Sequence, residues 1–192
     1  MLSGTVSGVA GDVLRSISYA TLGPQHRIAA WVRLVALTAA HPERPFQAIT
    51  VGRRQAQASV SRIGPLGNDP EIRRATALEY LAVLADLMDR GLREPLPIAC
   101  KTSHAYAEAA SKGFDPPRWA SREWSSEFRF DKEDKEPEHL LAFGGQQPLG
   151  FLLAPPPRPD ERDWYATDGT RFGVLARRLW AGIFAYEKVE TR

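Results

Sequence analysis

LSGTVSGVAGDVLRSISYATLGPQHRIAAWVRLVALTAAHPERPFQAITVGR, residues 2–53, is the stretch on which the fold turns. Leu2–Val9 alternates with the period of a strand, Leu2, Gly4, Val6 and Gly8 on one side, Ser3, Thr5, Ser7 and Val9 on the other. Its glycines permit a twisted or closely approached backbone. Ala10-Gly11-Asp12 makes a turn, and Val13–Ala20 alternates again, Val13, Arg15, Ile17 and Tyr19 against Leu14, Ser16 and Ser18. The stretch therefore opens as a β-hairpin. Gly23-Pro24 interrupts it, and Pro24 suits the first turn of a helix. From Ile28 to Ala40 only Arg33 and Thr38 are polar, so this helix is expected to be central and covered on most sides. His41-Pro42 ends it, and Phe46–Arg53 returns to strand character.

Moving outward, Gln57–Ile63 is the partner strand, with Gly52-Arg53-Arg54-Gln55 near the bend. Asn68-Asp69-Pro70 starts a helix over residues 70–91, with Ala77, Leu81, Leu84 and Met88 as its inward stripe and Gly91 as its stop. Strand, strand, helix, strand, strand, helix specifies an α/β (α+β) layer structure, a mixed sheet flanked by helices. After Pro95 the pattern weakens to short helices at Cys100–Lys112 and Arg118–Phe128, a charged run at Asp131–Glu138, a proline-stiffened loop at Ala154–Pro159 and a last amphipathic helix, Phe172–Tyr186. One domain over residues 1–192 is expected, with residues 95–192 as a loop-rich helical sub-region.

The 192 residues are 43% hydrophobic and carry 25 basic against 23 acidic side chains, the balance of a chain with a packed core. Cys100 is the single cysteine, which excludes an internal disulfide framework and a Cys-based zinc site. No run of about 18 apolar residues predicts a membrane span, and MLSGTVSGVAGDVL lacks the form of a signal peptide. The expected location is cytoplasmic. Charge is uneven: residues 1–65 hold seven Arg against Asp12 and Glu43, and the remainder is acidic by three.

Metal-assisted phosphodiester hydrolysis needs two or three converging carboxylates, often with a lysine beside the attacking water. The hairpin offers Ser3, Ser7, Ser16 and Ser18 instead, and a neutral hydroxyl is a poor Mg²⁺ ligand without carboxylates beside it. No metal is expected there. His26, His41, His104 and His139 have no paired spacing and read as surface or capping residues. In Lys101-Thr102-Ser103-His104 the Ser–His adjacency reads better as a helix start with Thr102 or Ser103 as cap than as a nucleophile and base. Asp131–His139 (DKEDKEPEH) lacks the glycine of a calcium loop and is expected to be solvated. Glycine-rich nucleotide-binding sequences do not occur. Arg53, Arg54 and Arg62 are the candidate DNA-binding residues, through phosphate, with no aromatic interleaved among them in sequence for base stacking. Trp31 and Trp180 suit core positions, whereas Trp119, Trp124 and Trp164 are candidates to anchor a protein partner.

Residues 2–53, together with LADLMDRGLREPLPIACKTSHAYA and FGVLARRLWAGIF, resemble the C-terminal domain family of the RecC (gamma) subunits of exodeoxyribonuclease V, the RecBCD helicase–nuclease, in an actinobacterial form. The likeness spans nearly the whole chain. That domain is similar to a restriction-endonuclease-like, PD-(D/E)XK nuclease fold that has lost its catalytic residues. Active relatives carry a G-x-x-D strand, a D-x-K strand and a Q-x-x-x-Y helix. Here Gly4-Thr5-Val6-Ser7, Ser16-Ile17-Ser18 and the Arg27–Leu37 helix take those places, so Ser7 and Ser16 stand for the two carboxylates and Ser18 for the lysine. The resemblance implies a catalytically inactive segment that docks subunits, RecD and RecB being its partners, near DNA in double-strand break repair. It implies no cofactor in this domain, Mg²⁺ and ATP serving the other subunits. Two other readings stand beside it: an active metal-dependent nuclease with displaced ligands such as Glu71 or Glu79, and a stand-alone nucleic-acid binder.

Overall fold

The computed structural model describes residues 3–127 and 130–191. Leu2 and Phe128, expected in the first strand and at the end of a helix, lie outside the described residues. The chain divides into two compact units, Met1–Ala85 with Gly182–Arg192, and Asp86–Ala181.

The first unit is built on a mixed five-stranded sheet in the order β1 (Val9–Ala10), β2 (Val13–Thr21), β3 (Gln47–Arg54), β4 (Gln57–Ile63) and β5 (Glu187–Thr191). Only the β2–β3 pair is parallel, and helix α1 (Pro24–Ala40) makes the crossover that parallel neighbours require. The α/β class is the one expected. The first strand is far shorter than its alternation suggests. Gly8 turns aside at φ +81°, where a Cβ would meet the Arg15 carbonyl oxygen at 2.6 Å. Ser3, Thr5 and Ser7 ahead of it are exposed, so a longer pairing would bury little apolar surface.

Helix α1 begins with Pro24 at its first position after an extended Gly23. It buries one stripe, Ala30, Trp31, Leu34, Val35 and Thr38, rather than most of its circumference, and Val32 is exposed. Trp31 stacks against Tyr186 at 6.1 Å and meets Tyr80 edge-on at 5.0 Å. A Cβ on Gly182 would fall 2.6 Å from the Trp31 ring and 2.7 Å from Tyr80, so this closeness requires glycine. Burial of an aromatic of this size, with its edge-to-face pair, stabilises by several kcal/mol, on the order of 3.

Helix α2 (Pro70–Arg93) starts on Asp69, whose Oδ1 accepts from the Ile72 amide at 2.8 Å. Its inward stripe includes Arg73, Ala77 and Leu87, while Met88 points outward. Gly91 does not stop it, since the helix continues to Arg93. The buried Arg73 guanidinium donates to the carbonyls of Pro42 at 2.7 Å, Gly67 at 3.3 Å and Glu43 at 3.4 Å. It thus ties down the loops after α1 and β4.

The second unit contains α3 (Cys100–Ser111), α4 (Pro116–Trp124), a single 3₁₀ turn (Glu133–Lys135), α5 (Pro137–Phe143) and α6 (Leu149–Leu153). Helix α7 (Arg171–Tyr186) contributes its first eleven residues, up to Ala181. Tyr106, Trp124, Leu152, Phe172, Leu175 and Trp180 are buried in this unit. No helix among the described residues is long and apolar enough to cross a membrane.

Candidate functional site

The sheet has two chemically different faces. On the α1 side lie Leu14 and Ser16 of β2, Ala48 and Thr50 of β3, Ser61 and Ile63 of β4, and Glu187 of β5. Register aligns Ser16 with Thr50 and Thr50 with Ser61, a row of hydroxyls across three strands. Continuing the hairpin register would set Ser7 opposite Ser16. The ladder instead ends at Val9–Leu14 with one further bond, from the Arg15 amide to the Gly8 carbonyl at 2.9 Å. Ser7 is exposed and stands outside the sheet. Ser18 falls in an irregular stretch of β2, where its Oγ accepts from the Ala20 amide at 3.1 Å. The three serines are therefore not gathered into one pocket.

Glu187 brings a carboxylate to this face, and its charge is already matched. Arg27 of α1 grips it through Nε at 2.8 and 3.0 Å and through a second nitrogen, and Ser61 Oγ donates to it at 2.5 Å. A carboxylate so held has little free lone-pair capacity for a cation. Glu71 and Glu79, considered as displaced metal ligands, are exposed on α2 and eight residues apart, about 12 Å along the helix. Among the described residues, no group of three His, Cys, Asp or Glu is arranged to hold a metal ion.

The opposite face carries Arg15, Ile17 and Tyr19 of β2, Ile49, Val51 and Arg53 of β3, Val60 and Arg62 of β4, and Lys188 and Glu190 of β5. The more apolar of the two alternating sets in β2 is the outward one: Ile17 is 80% exposed and Tyr19 88%. Between Ile17 and Thr21 the β2–β3 register slips, four residues of β2 spanning two of β3. This bulge carries Tyr19 clear of the sheet, where the Arg53 guanidinium lies 5.3 Å from its ring centre.

The structure separates the three arginines singled out from the sequence. Arg53 shares the open face with Arg62, four residues of strand from its pairing partner Ala58, or about 13 Å. Arg54 alternates to the other face, beside the Gln55-Ala56 turn, where Gln55 takes φ +56°. An aromatic does join Arg53 in space, which the linear sequence hid because Tyr19 is on another strand. Arg15 and Lys188 also belong to this face and were not singled out. Their signal is the register, which one sequence does not supply.

In the second unit the charged run is a correction. Glu133 is 1% exposed and Asp134 5%, so the run is not a solvated loop. The Glu133 carboxylate accepts from the Lys101 amide at 2.8 Å and from the Thr102 amide and hydroxyl at 2.7 Å. It caps α3 from 31 residues away, while Ala99, the residue at the N-cap position, has no side chain able to do so. Neither Thr102 nor Ser103 is the cap. Ser103 Oγ accepts from Trp180 Nε1 at 2.9 Å and is fully buried, so it is packed structure rather than a nucleophile. His104 packs edge-on against Trp180 at 4.9 Å, and His139 Nδ1 lies 2.7 Å from the Glu133 carbonyl, neither being a simple surface residue.

Burial, and next the nearby Glu133 carboxylate, push the Cys100 thiol up to about 11. For Asp134 burial acts upward, but hydrogen bonds from Ser126 and Gln146 prevail and hold the carboxyl below its ordinary range. The Arg171 hydrogen bond holds Glu94 low in the same way. Trp124 is core, donating to the Gln147 carbonyl at 2.8 Å, and the Trp164 ring has the Arg178 guanidinium at 3.3 Å and that of Arg90 at 4.8 Å from its centre. Trp119, stacked on Phe114, remains exposed.

Residues 1–111 match the RecC C-terminal domain family. Over 189 residues, 97% of the chain, the sequence is 36% identical to the RecBCD enzyme subunit RecC of Mycobacterium tuberculosis. Over 187 residues it is 38% identical to the RecBCD enzyme subunit RecC of Mycolicibacterium smegmatis. The chain spans 16% of the length of each of these relatives.

Proposed function

The chain belongs to the RecC C-terminal domain family, and from that premise we propose that it is a non-catalytic docking domain of a RecBCD-type complex. In this reading it holds a RecD-type subunit, contacts a RecB-type subunit and lines part of the DNA path during double-strand break repair. Mg²⁺ and ATP chemistry belong to the other subunits.

One observation carries the loss of catalysis. Where a nuclease-like scaffold needs converging carboxylates, the α1 side of the sheet presents the Ser16–Thr50–Ser61 hydroxyl row, and its Glu187 is neutralised by Arg27. Such a surface lacks the negative charge that gathers a divalent cation and lowers the pKa of its water. The order of elements supports kinship with a nuclease scaffold: a hairpin, a helix, then a strand parallel to the second hairpin strand.

Docking is supported by apolar side chains that the chain leaves uncovered. Met88 and Leu92 stand one turn apart on α2, both exposed, and Leu141 is exposed at the end of α5. The test is co-elution of the chain with RecD-type and RecB-type subunits from the same genome. Association at micromolar concentration is expected, weakened about tenfold or more by Leu92→Asp. No association with either subunit would overturn the docking role.

A further inference from the structure

We propose that the closed end of the α3–α4 pair is a groove for an acidic segment of a protein partner, seated by one apolar anchor residue. The groove lies within the second unit and involves none of Met88, Leu92 and Leu141. It therefore goes beyond the docking reading above.

Local chemistry builds it. Helix α3 ends on Gly113 at φ +72°, which lets the Phe114 amide reach back to the Ala109 carbonyl at 2.9 Å. Asp115 then begins α4, with Pro116 and Pro117 in its first turn. Phe114 is thereby set against Trp119, the rings stacked 6.0 Å apart and 24° from parallel. Such a contact across a helix start fixes how the chain enters the helix. Beside the rings is an open cavity of about 50 Å³, lined by Ala105, Glu108, Ala109, Lys112, Phe114 and Trp119.

Stapling the helix start explains why the two rings meet, but not why so much of them is left in water. Phe114 is 54% exposed and Trp119 41%. Smaller apolar side chains would make the same staple. Large rings already held in place favour a partner, because little side-chain freedom remains to be lost on binding. The cavity admits the end of one side chain and falls far short of the roughly 300 Å³ of a small-molecule pocket.

Charge names the rest of the partner. Lys112 is held by Glu108 at 2.7 Å, and Glu123 acts on Lys101. Arg122 lies 4.6 Å from the Trp119 ring centre. Neither Arg122 nor Arg118, both exposed, has an ion-pair partner among the described residues. Asp115 is then the one acid of this corner set against two guanidiniums, which suit the carboxylates of an acidic segment.

Single-stranded nucleic acid is the competing occupant, since an exposed tryptophan also stacks bases. Trp119 already has Phe114 stacked on it and Arg122 over it, which leaves little ring face for a base. An anchor side chain needs only the groove beside the rings.

Fluorescence anisotropy on the full chain tests this with a labelled peptide of one phenylalanine flanked by aspartates. Binding with Kd on the order of 100 µM is expected. Trp119→Ala should weaken it about tenfold. Combined Arg118→Gln and Arg122→Gln should weaken it about fivefold and remove most of its salt dependence. The arginine pair keeps the test decisive should Trp119→Ala unfold α4, which circular dichroism reports. Serine for the phenylalanine, or lysines for the aspartates, should each cost the peptide about tenfold. Co-elution with RecD-type and RecB-type subunits should be unchanged in the folded variants.

No peptide binding, equal binding of the serine or lysine peptide, or affinity untouched by the variants would each overturn the proposal. So would dT20 binding tighter than the peptide and lost in the same variants, which would give the groove to nucleic acid. Loss of co-elution in the folded variants would give it to subunit assembly and overturn the proposal too. Retained co-elution without peptide binding refutes the groove and leaves the docking role standing. Variant-sensitive peptide binding without co-elution does the reverse.

Discussion

Each of the two compact units has an apolar core, and they differ in what is added to it. In Met1–Ala85 with Gly182–Arg192, a sheet and helix bury Leu14, Trp31, Leu34, Val35, Phe46 and Ile63 in periodic patterns. In Asp86–Ala181 irregular segments are fastened by buried carboxylates. Glu161, fully buried, accepts from Arg171 Nε at 3.0 and 3.1 Å, from Arg90 at 3.2 Å and from the Arg158 amide at 3.0 Å, and Glu133 caps α3. Both units bury apolar surface, a non-directional force, with Trp124, Leu152, Phe172, Leu175 and Trp180 doing so in the second. The second adds directional bonds to buried carboxylates, each costly to lose singly.

The strongest way to break this contrast is within the aromatic cluster. Trp31→Ala should cost about 4 kcal/mol, read as a shift in the urea midpoint, and the cost should be the same at low and high salt. Glu161→Ala should cost about 3 kcal/mol, because it leaves the Arg171 guanidinium buried with only Glu94 against it. A loss below about 1 kcal/mol would show that the tethers are ornamental. Glu133→Gln should cost about 2 kcal/mol, since an amide oxygen can still accept one of the bonds to the start of α3.

Acid sharpens the contrast further. Glu94 and Asp134 both lie in the second unit with folded-state pKa values held low. A depressed carboxyl stabilises the fold above its unfolded value, about 4, and that stabilisation is lost as pH falls through the folded value. Hydrogen exchange at descending pH should therefore show residues 86–181 losing protection before the sheet. Simultaneous loss in both units would count against separate tethering.

The smallest effect concerns Cys100. A cysteine at a helix start is ordinarily acidified, but here burial and the Glu133 carboxylate outweigh the helix end. Labelling by a disulfide reagent at pH 8 should be about a hundredfold or more slower than for an unhindered thiol, and faster in Glu133→Gln. Reaction at the rate of a free cysteine would contradict the burial of this helix start.

Legibility followed the same division. The hairpin, α1, the β3–β4 pair and α2 show in the sequence because each repeats at 2 or 3.6 residues within itself. β5 does not: Glu187–Thr191 pairs with residues 124 or more positions earlier, and its polar, exposed pattern has no core face to advertise. The DKEDKEPEH run looks like a solvated loop because composition cannot show that Glu133 meets amides 31 residues away. At the candidate site, the hydroxyls of Ser7, Ser16 and Ser18 and the scarcity of carboxylates were plain from the sequence. The outward aromatic on β2 was not, because hydrophobicity favours the face that the structure leaves open.

The central claim, as proposed above, is that this chain does not cut DNA. Linear DNA incubated with the purified chain and Mg²⁺ or Mn²⁺ measures it most directly. The account predicts no cleavage above the metal-only background, with Glu71→Ala and Glu79→Ala indistinguishable from the parent chain. Metal-dependent cleavage that disappears in either variant would contradict it.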